Sequence, residues 1–278
     1  MSHPWWAYPA LAGVGLAAGA LNVIAGGGSF LSLPAMIFLG LPPTVANGTN
    51  RVAILVQNAG AVWGFQRRRL VAWRWLVRAA LPAVVGALLG AWLAVRIGDQ
   101  SFKRILSVLM VVVSLASLWR PGGRAPDDAG ERGSGGEAGA PGRSDASAER
   151  ADGVPAPPPE LGARLALGAG FFLVGVYGGF VQAGTGFLFL AVLTWAGFDL
   201  VRGNALKVLV ILLWTPLALW QFAAGGQVDW VLGLALAGGN FSGALIGVRL
   251  TVLKGSRWVR RVVTVTVIAF AVLLWVLP

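Results

Sequence analysis

The sequence contains no cysteine and a single histidine, His3, at the start of the chain. Disulfides, thiolate catalysis, haem ligation and histidine metal sites are therefore excluded or nearly so, and we expect no cofactor. Charged residues are also scarce, at 12% of the chain, where a soluble domain usually carries about 25%. These shortages argue against redox chemistry and against a water-soluble fold.

Apolar residues make up 56% of the chain. They form continuous runs of a length that crosses about 30 Å of hydrocarbon as a helix. Because the runs do not alternate with polar residues, they favour helices over a β-barrel. We therefore predict an all-α, polytopic membrane protein with plain spans at 44–66, 75–95, 102–119, 205–224, 230–250 and 260–277.

The net charge of +11 does not indicate nucleic-acid binding. The basic residues lie in short loops between apolar runs and do not build one soluble basic face. We therefore expect no nucleic-acid partner, and the lipid bilayer is the expected surrounding of the chain.

Residues 120–160 differ sharply from the rest, being rich in Gly, Pro, Ala, Ser and acids. A segment of this composition buries too little apolar surface to fold, so we predict a disordered linker. It separates an N-terminal membrane repeat, residues 1–119, from a C-terminal membrane repeat, residues 161–278. Outside the linker the only acids are Asp99, Asp199 and Asp229.

The two membrane segments repeat each other at an offset of about 157 positions. Short matches recur in the same order along both halves, which chance does not explain. They pair Ala25-Gly26-Gly27-Gly28 with Ala183-Gly184-Thr185-Gly186, Arg51-Val52 with Lys207-Val208, and Gly86-Ala87-Leu88-Leu89-Gly90 with Gly243-Ala244-Leu245-Ile246-Gly247. Duplicated halves are common among secondary transporters, whose sites lie at the repeat interface.

Each half begins with a segment too long for one span, residues 8–41 and 164–198, with glycines near its middle. We predict two short helices meeting in a break, as in a re-entrant hairpin, at 26–28 and 184–186. With three spans after each broken pair, each half crosses the membrane an odd number of times and the halves are inverted. If the broken segments cross once, the halves are parallel instead.

The distribution of Lys and Arg favours inversion, because cytoplasmic loops collect these residues. With both termini outside, the arginines at 67–78, the linker and the basic residues at 254–261 are cytoplasmic. The basic residues at 96–104 are the exception. We expect a multi-pass protein of the bacterial inner membrane.

Polar groups at the breaks are the candidate binding site. A helix that restarts inside the membrane points free amides and its positive dipole end into a polar cavity, which suits an anion. Arg51 and Lys207 lie inside apolar spans, where an ionisable side chain indicates a pathway. The predicted substrate-binding residues are Asn22, Gly26, Gly27, Gly28, Ser29, Asn50, Arg51, Gln182, Gly184, Thr185, Gly186 and Lys207.

Two alternatives to binding remain open. Small residues also allow close helix packing, the role we assign to Gly86, Gly90, Gly243 and Gly247. Arg51 and Lys207 are also near enough to span ends to snorkel to the headgroups.

Asn22-Val-Ile-Ala-Gly-Gly-Gly-Ser29 after an apolar helix, Asn47-Gly-Thr-Asn-Arg51 opening the next span, and a degenerate copy of both resemble the sulfite exporter TauE/SafE family. This likeness implies a bacterial permease for sulfite or a related organosulfur or carboxylate anion. The family's glycine-rich break corresponds to Gly26, Gly27, Gly28 and Ser29, and its Asn-Arg stretch to Asn50 and Arg51.

The expected function is transport of a small anionic substrate by alternating access. A channel with the same site and a membrane scaffold without transport are the alternatives. An enzyme is not expected, because the spans hold no His, Cys, Asp or Glu to act as acid or base. A homo-oligomer is compatible with the sequence.

Overall fold

The computed structural model describes residues 4–118, 154–158 and 160–276. Most of the predicted linker, residues 120–160, lies outside the described residues. The described part is helical and has no strand. Its nine helices are α1 (Ala7–Ile24), α2 (Ser29–Phe38), α3 (Pro43–Gln66), α4 (Trp73–Arg96), α5 (Asp99–Leu118), α6 (Leu161–Phe180), α7 (Thr185–Trp195), α8 (Leu200–Ala224) and α9 (Trp230–Val276).

Within these described ranges, five helices are long and apolar enough to cross a membrane: α1, α4, α6, α8 and the part of α9 up to Val259. The all-α, polytopic prediction is therefore confirmed. Helix α3 is as long as α4, at 24 residues. It carries the polar residues of the candidate site, which lower its mean hydropathy.

The predicted spans at 44–66, 75–95, 102–119 and 205–224 correspond to α3, α4, α5 and α8. The spans at 230–250 and 260–277 were predicted as separate helices, and this prediction is confirmed. They are the two parts of α9, which meet at a kink at Gly255, where the backbone is not helical (φ 71°, ψ −176°). Glycine adopts this positive φ without steric cost, so it can redirect the chain here.

Both predicted helix breaks are present. Residues 25–28 separate α1 from α2, and residues 181–184 separate α6 from α7. The second break begins earlier than predicted, and Thr185 and Gly186 form the first turn of α7. The chain turns at Gly184, which has a positive φ of 73°. Helices α2 and α7 have 10 and 11 residues, about 15–17 Å, or half of a bilayer core. The prediction of two short helices is wrong for α1 and α6, which have 18 and 20 residues and are long enough to cross a membrane.

Glycines allow helices of the two halves to pack closely against each other. A Cβ atom on Gly86 or Gly90 of α4 would overlap main-chain oxygens of α6, and one on Gly243 of α9 would overlap a main-chain oxygen of α1. Gly247 lies against Ala20 and Val23 of α1. Backbones approach this closely only where side chains are absent, so the predicted packing role of these glycines is confirmed.

The contact between α1 and α9 and the contact between α4 and α6 have the same geometry. Along α1 and α9, Ala12 meets Gly239 and Leu16 meets Gly243, so the two helices run parallel. Ala83 meets Gly175 and Ala87 meets Gly179 in the same sense on α4 and α6. Each half therefore packs its first helix against a later helix of the other half, and α3 and α8 lie between these pairs.

Candidate functional site

The two helix breaks meet inside the protein. A Cβ atom on Gly26 would overlap the Cα atom of Gly186, and a Cβ atom on Gly186 would overlap the Cα atom of Gly26. Glycine at both positions is what allows the backbones to touch. Just beyond the contact, the rings of Phe30 and Phe187 stack with centroids 6.2 Å apart. Segments from opposite halves are thus joined at their breaks.

A small cavity of about 20 Å³ lies beside this contact. The side chains of Ser29 and Thr185, the first residues of α2 and α7, are on its wall. The first turn of a helix carries the positive end of the helix dipole. In these two turns, the amides of Phe30, Leu31 and Phe187 already donate to main-chain oxygens of the breaks. The lining residues are Asn22, Gly26, Ser29, Ile54, Gln57, Asn58, Gln182, Thr185, Gly186, Lys207 and Ile211.

Five predicted site residues do not line this cavity. Gly27 and Gly28 pack tightly instead, because a Cβ on Gly27 would strike the Phe187 ring and one on Gly28 would overlap the Ala18 carbonyl. Gly184 provides the turn before α7. Asn50 and Arg51 do not line the cavity, but they donate hydrogen bonds to Ser29 and Gln182, which do.

Lys207 is fully enclosed, with 1% of its surface exposed. Its ammonium group donates to the main-chain oxygens of Asn22 at 3.0 Å and Val23 at 3.1 Å, and to the side-chain oxygen of Asn204. Asn204 also donates to the main-chain oxygen of Ile24 at 3.0 Å. Carbonyls at a helix C-terminus lack intrahelical donors and carry the negative end of the dipole. Lys207 therefore neutralises the end of α1 while its positive charge borders the cavity.

Arg51 does the same for α6. Its guanidinium donates to the main-chain oxygens of Gly178, at 3.3 Å, and Gly179, and to the side-chain oxygen of Gln182 at 3.2 Å. Asn47 completes the cap by donating to the main-chain oxygen of Phe180 at 2.9 Å. Arg51 has no exposed surface. The snorkelling alternative is therefore wrong for both Arg51 and Lys207, because neither side chain reaches the headgroups.

Asn50 holds the start of α2. Its amide group donates to the Ser29 hydroxyl at 3.1 Å, and its oxygen accepts from the Ser32 hydroxyl at 2.7 Å. In α7 the Thr185 hydroxyl instead donates to the main-chain oxygen of Gln182 at 3.1 Å. Both short helices are thus anchored at their first turn, by different means.

Four cavity residues were not among the predicted site: Ile54, Gln57, Asn58 and Ile211. Ile54 lies on α3 and Ile211 on α8, but apolar residues inside a span give no signal in the sequence. The sequence did contain a signal for Gln57 and Asn58. They follow Asn50 and Arg51 by seven positions, which is two helical turns, so all four lie on one side of α3.

The acids outside the linker serve as helix caps. Asp99 accepts from the main-chain nitrogen of Thr44 at 3.2 Å, Asp199 from that of Val201 at 2.8 Å, and Asp229 from that of Leu232 at 3.0 Å. None of the three lines the cavity. The described residues also contain no cluster of three His, Cys, Asp or Glu that would hold a metal ion.

The fold and the cavity together define a multi-pass helical membrane protein with a polar chamber between its N-terminal and C-terminal helices. A model of the sulfite exporter TauE/SafE family matches residues 11–274. The chain therefore belongs to the sulfite exporter TauE/SafE family.

Curated relatives agree with this assignment. The chain is 28% identical to the probable membrane transporter protein ORF9 of Sinorhizobium sp., over 92% of this chain and 87% of that protein. It is 30% identical to the probable membrane transporter protein YfcA of Escherichia coli strain K12, over 91% of this chain and 83% of that protein. Comparison with solved structures found no match.

Proposed function

We propose that the protein is a permease that carries a small oxyanion, sulfite or a related organosulfur or carboxylate anion, across the membrane by alternating access. The observation that carries the proposal is the cavity where the two helix breaks meet. It combines the first turns of two short helices with the buried charge of Lys207. Such a combination attracts negative charge.

The electrostatics of the cavity support an anion over a cation. Arg51 lies directly behind Gln182, so a second positive charge stands one side chain away from the wall. The three acids of the membrane halves are used at helix starts. A cation would meet two buried positive charges without a carboxylate to compensate them, which is costly in a region of low dielectric.

Many alternating-access carriers are built from halves of opposite orientation, and the helix directions support this arrangement. Helix α3 runs parallel to α9, since Thr49 contacts Asp229 and Gln57 contacts Asn240. Residues 67–72 and 225–229 are short turns, which reverse the chain between α3 and α4 and between α8 and α9. Helix α4 is therefore antiparallel to α9, its counterpart in the repeat. We infer that the halves are inverted, as in many carriers.

The proposal is tested by uptake into proteoliposomes containing the purified protein, with sulfite, thiosulfate, sulfoacetate and small carboxylates as substrates. Saturable uptake and counterflow are expected for a carrier. Uptake that rises linearly with concentration and shows no counterflow would identify a channel instead. If none of these anions enters faster than into protein-free liposomes, the permease assignment is wrong.

A further inference from the structure

Two carboxamide side chains face the cavity from opposite halves, Gln57 on α3 and Gln182 in the second break. Each is almost fully buried, with 2% and 4% of its surface exposed. Nearly every buried amide in a folded protein has partners for both its oxygen and its NH₂ group. These two do not follow that rule.

The oxygen of each glutamine is fixed by a protein donor. Gln57 Oε1 accepts from Asn22 and from Asn240, each at 3.1 Å. Gln182 Oε1 accepts from Arg51 at 3.2 Å. Arginine can only donate, so Arg51 determines which end of the Gln182 carboxamide is the oxygen. Gln57 is oriented with its oxygen toward the amide groups of Asn22 and Asn240. The NH₂ ends are thereby left for another partner.

Neither NH₂ group has an acceptor in the described part of the chain. Gln182 Nε2 is buried without a hydrogen-bond partner, and the bonds of Gln57 all involve its oxygen. Lys207, by contrast, has already used its three N–H donors on protein oxygens. Lys207 therefore contributes charge to the cavity, whereas the glutamines contribute free hydrogen-bond donors.

We infer that Gln57 and Gln182 form a two-sided clamp for the oxygens of the transported anion, with one amide donor supplied by each half. The inference rests on the proposed permease function and adds Gln57 as a residue that sets substrate affinity. The ligand is an oxyanion whose separate oxygens accept from both amides. Since the donors belong to opposite halves, the bound anion bridges the halves.

The clamp is tested with Gln57→Glu and Gln182→Glu, which have nearly the same shape as the native side chains. A carboxylate retains the oxygen that Asn22, Asn240 and Arg51 donate to, so a purely structural role survives the change. It replaces the NH₂ donor with a negative oxygen that repels an anion. Gln66→Glu is the matched control, since Gln66 is exposed at the end of the same helix α3.

Uptake is measured with whichever of sulfite, thiosulfate, sulfoacetate or the carboxylates the wild type transports. We expect each clamp variant to remain folded and to raise KM at least tenfold, and Gln66→Glu to match wild type. A KM in Gln57→Glu equal to that of Gln66→Glu would overturn the clamp and leave the permease standing. A wild type that transports none of the anions overturns both.

A binding measurement covers the case in which a variant is poorly active or unstable. The transported anion is expected to raise the Tm of the detergent-purified wild type, since it binds only the folded state. Gln57→Met, which keeps the side-chain length and removes the donor, is expected to lose that shift. A full shift in a folded Gln57→Met protein would overturn the clamp.

Discussion

The ammonium nitrogen of Lys207 lies 3.0 Å from the main-chain oxygen of Asn22, and this contact ties α8 of the second half to the end of α1 in the first. Arg51 on α3 makes the reciprocal contact with the end of α6. Each half thus supplies the cation that neutralises the broken helix of the other. The charges hold the cavity wall in place as well as making it electropositive.

Replacing Lys207 with methionine is expected to impair both stability and transport. The change leaves the carbonyls at the end of α1 buried without their charged donor, at a cost of roughly 2 kcal/mol. In a chain of this size that lowers Tm by about 4–8 °C. Thermal unfolding in detergent and anion uptake measure the two effects. A Lys207→Met protein with wild-type Tm and uptake would contradict the capping role.

Replacing Arg51 with lysine is expected to separate two roles of this side chain, the capping of α6 and the positioning of Gln182. A lysine retains the positive charge near α6, but it lacks the planar fork that reaches Gly178, Gly179 and Gln182 at once. We expect a small loss of Tm and a severalfold rise in KM, because Gln182 is no longer held. Equal losses in Arg51→Lys and Arg51→Met would show that the charge alone is insufficient for the cap.

The contact between the breaks predicts a strong effect of one added methyl group. In Gly186→Ala the new Cβ overlaps the Gly26 backbone, which a flexible side chain cannot relieve. Overpacking of this kind costs about 1–3 kcal/mol, and it separates the two walls of the cavity. We expect low uptake and a reduced Tm. Gly168→Ala in α6 is the control, since a Cβ there meets nothing within 4 Å and is expected to be silent.

The acids that cap helices predict a variant that loses stability but keeps its substrate affinity. Asp199 accepts from the main-chain nitrogens of Val201 and Arg202 at the start of α8 and lies outside the cavity. Asp199→Ala is expected to lower stability by about 1 kcal/mol with no change in KM. A raised KM in the folded variant would instead indicate that this carboxylate takes part in substrate or ion coupling.

Local signals in the sequence were sufficient for the helices and their breaks, because apolar runs and clustered glycines act within a few residues. They were not sufficient for the partners of the buried cations. Arg51 bonds to Gly178, 127 positions away, and Lys207 to Asn22, 185 positions away. Such pairings depend on how the halves pack. For the same reason the free NH₂ group of Gln182 becomes visible only once Arg51 is placed against its oxygen.

Inversion of the halves predicts that equivalent turns lie on opposite sides of the membrane. Arg68 after α3 and Ala224 at the end of α8 occupy corresponding positions near the repeat offset, and both are exposed. The absence of native cysteine allows single substitutions without background labelling. In intact cells, a membrane-impermeant maleimide is expected to modify Ala224→Cys and to spare Arg68→Cys until the membrane is permeabilised, because the positive-inside rule predicts that the arginine-rich loop is cytoplasmic. Labelling of both from the same side would mean parallel halves and would contradict the inversion.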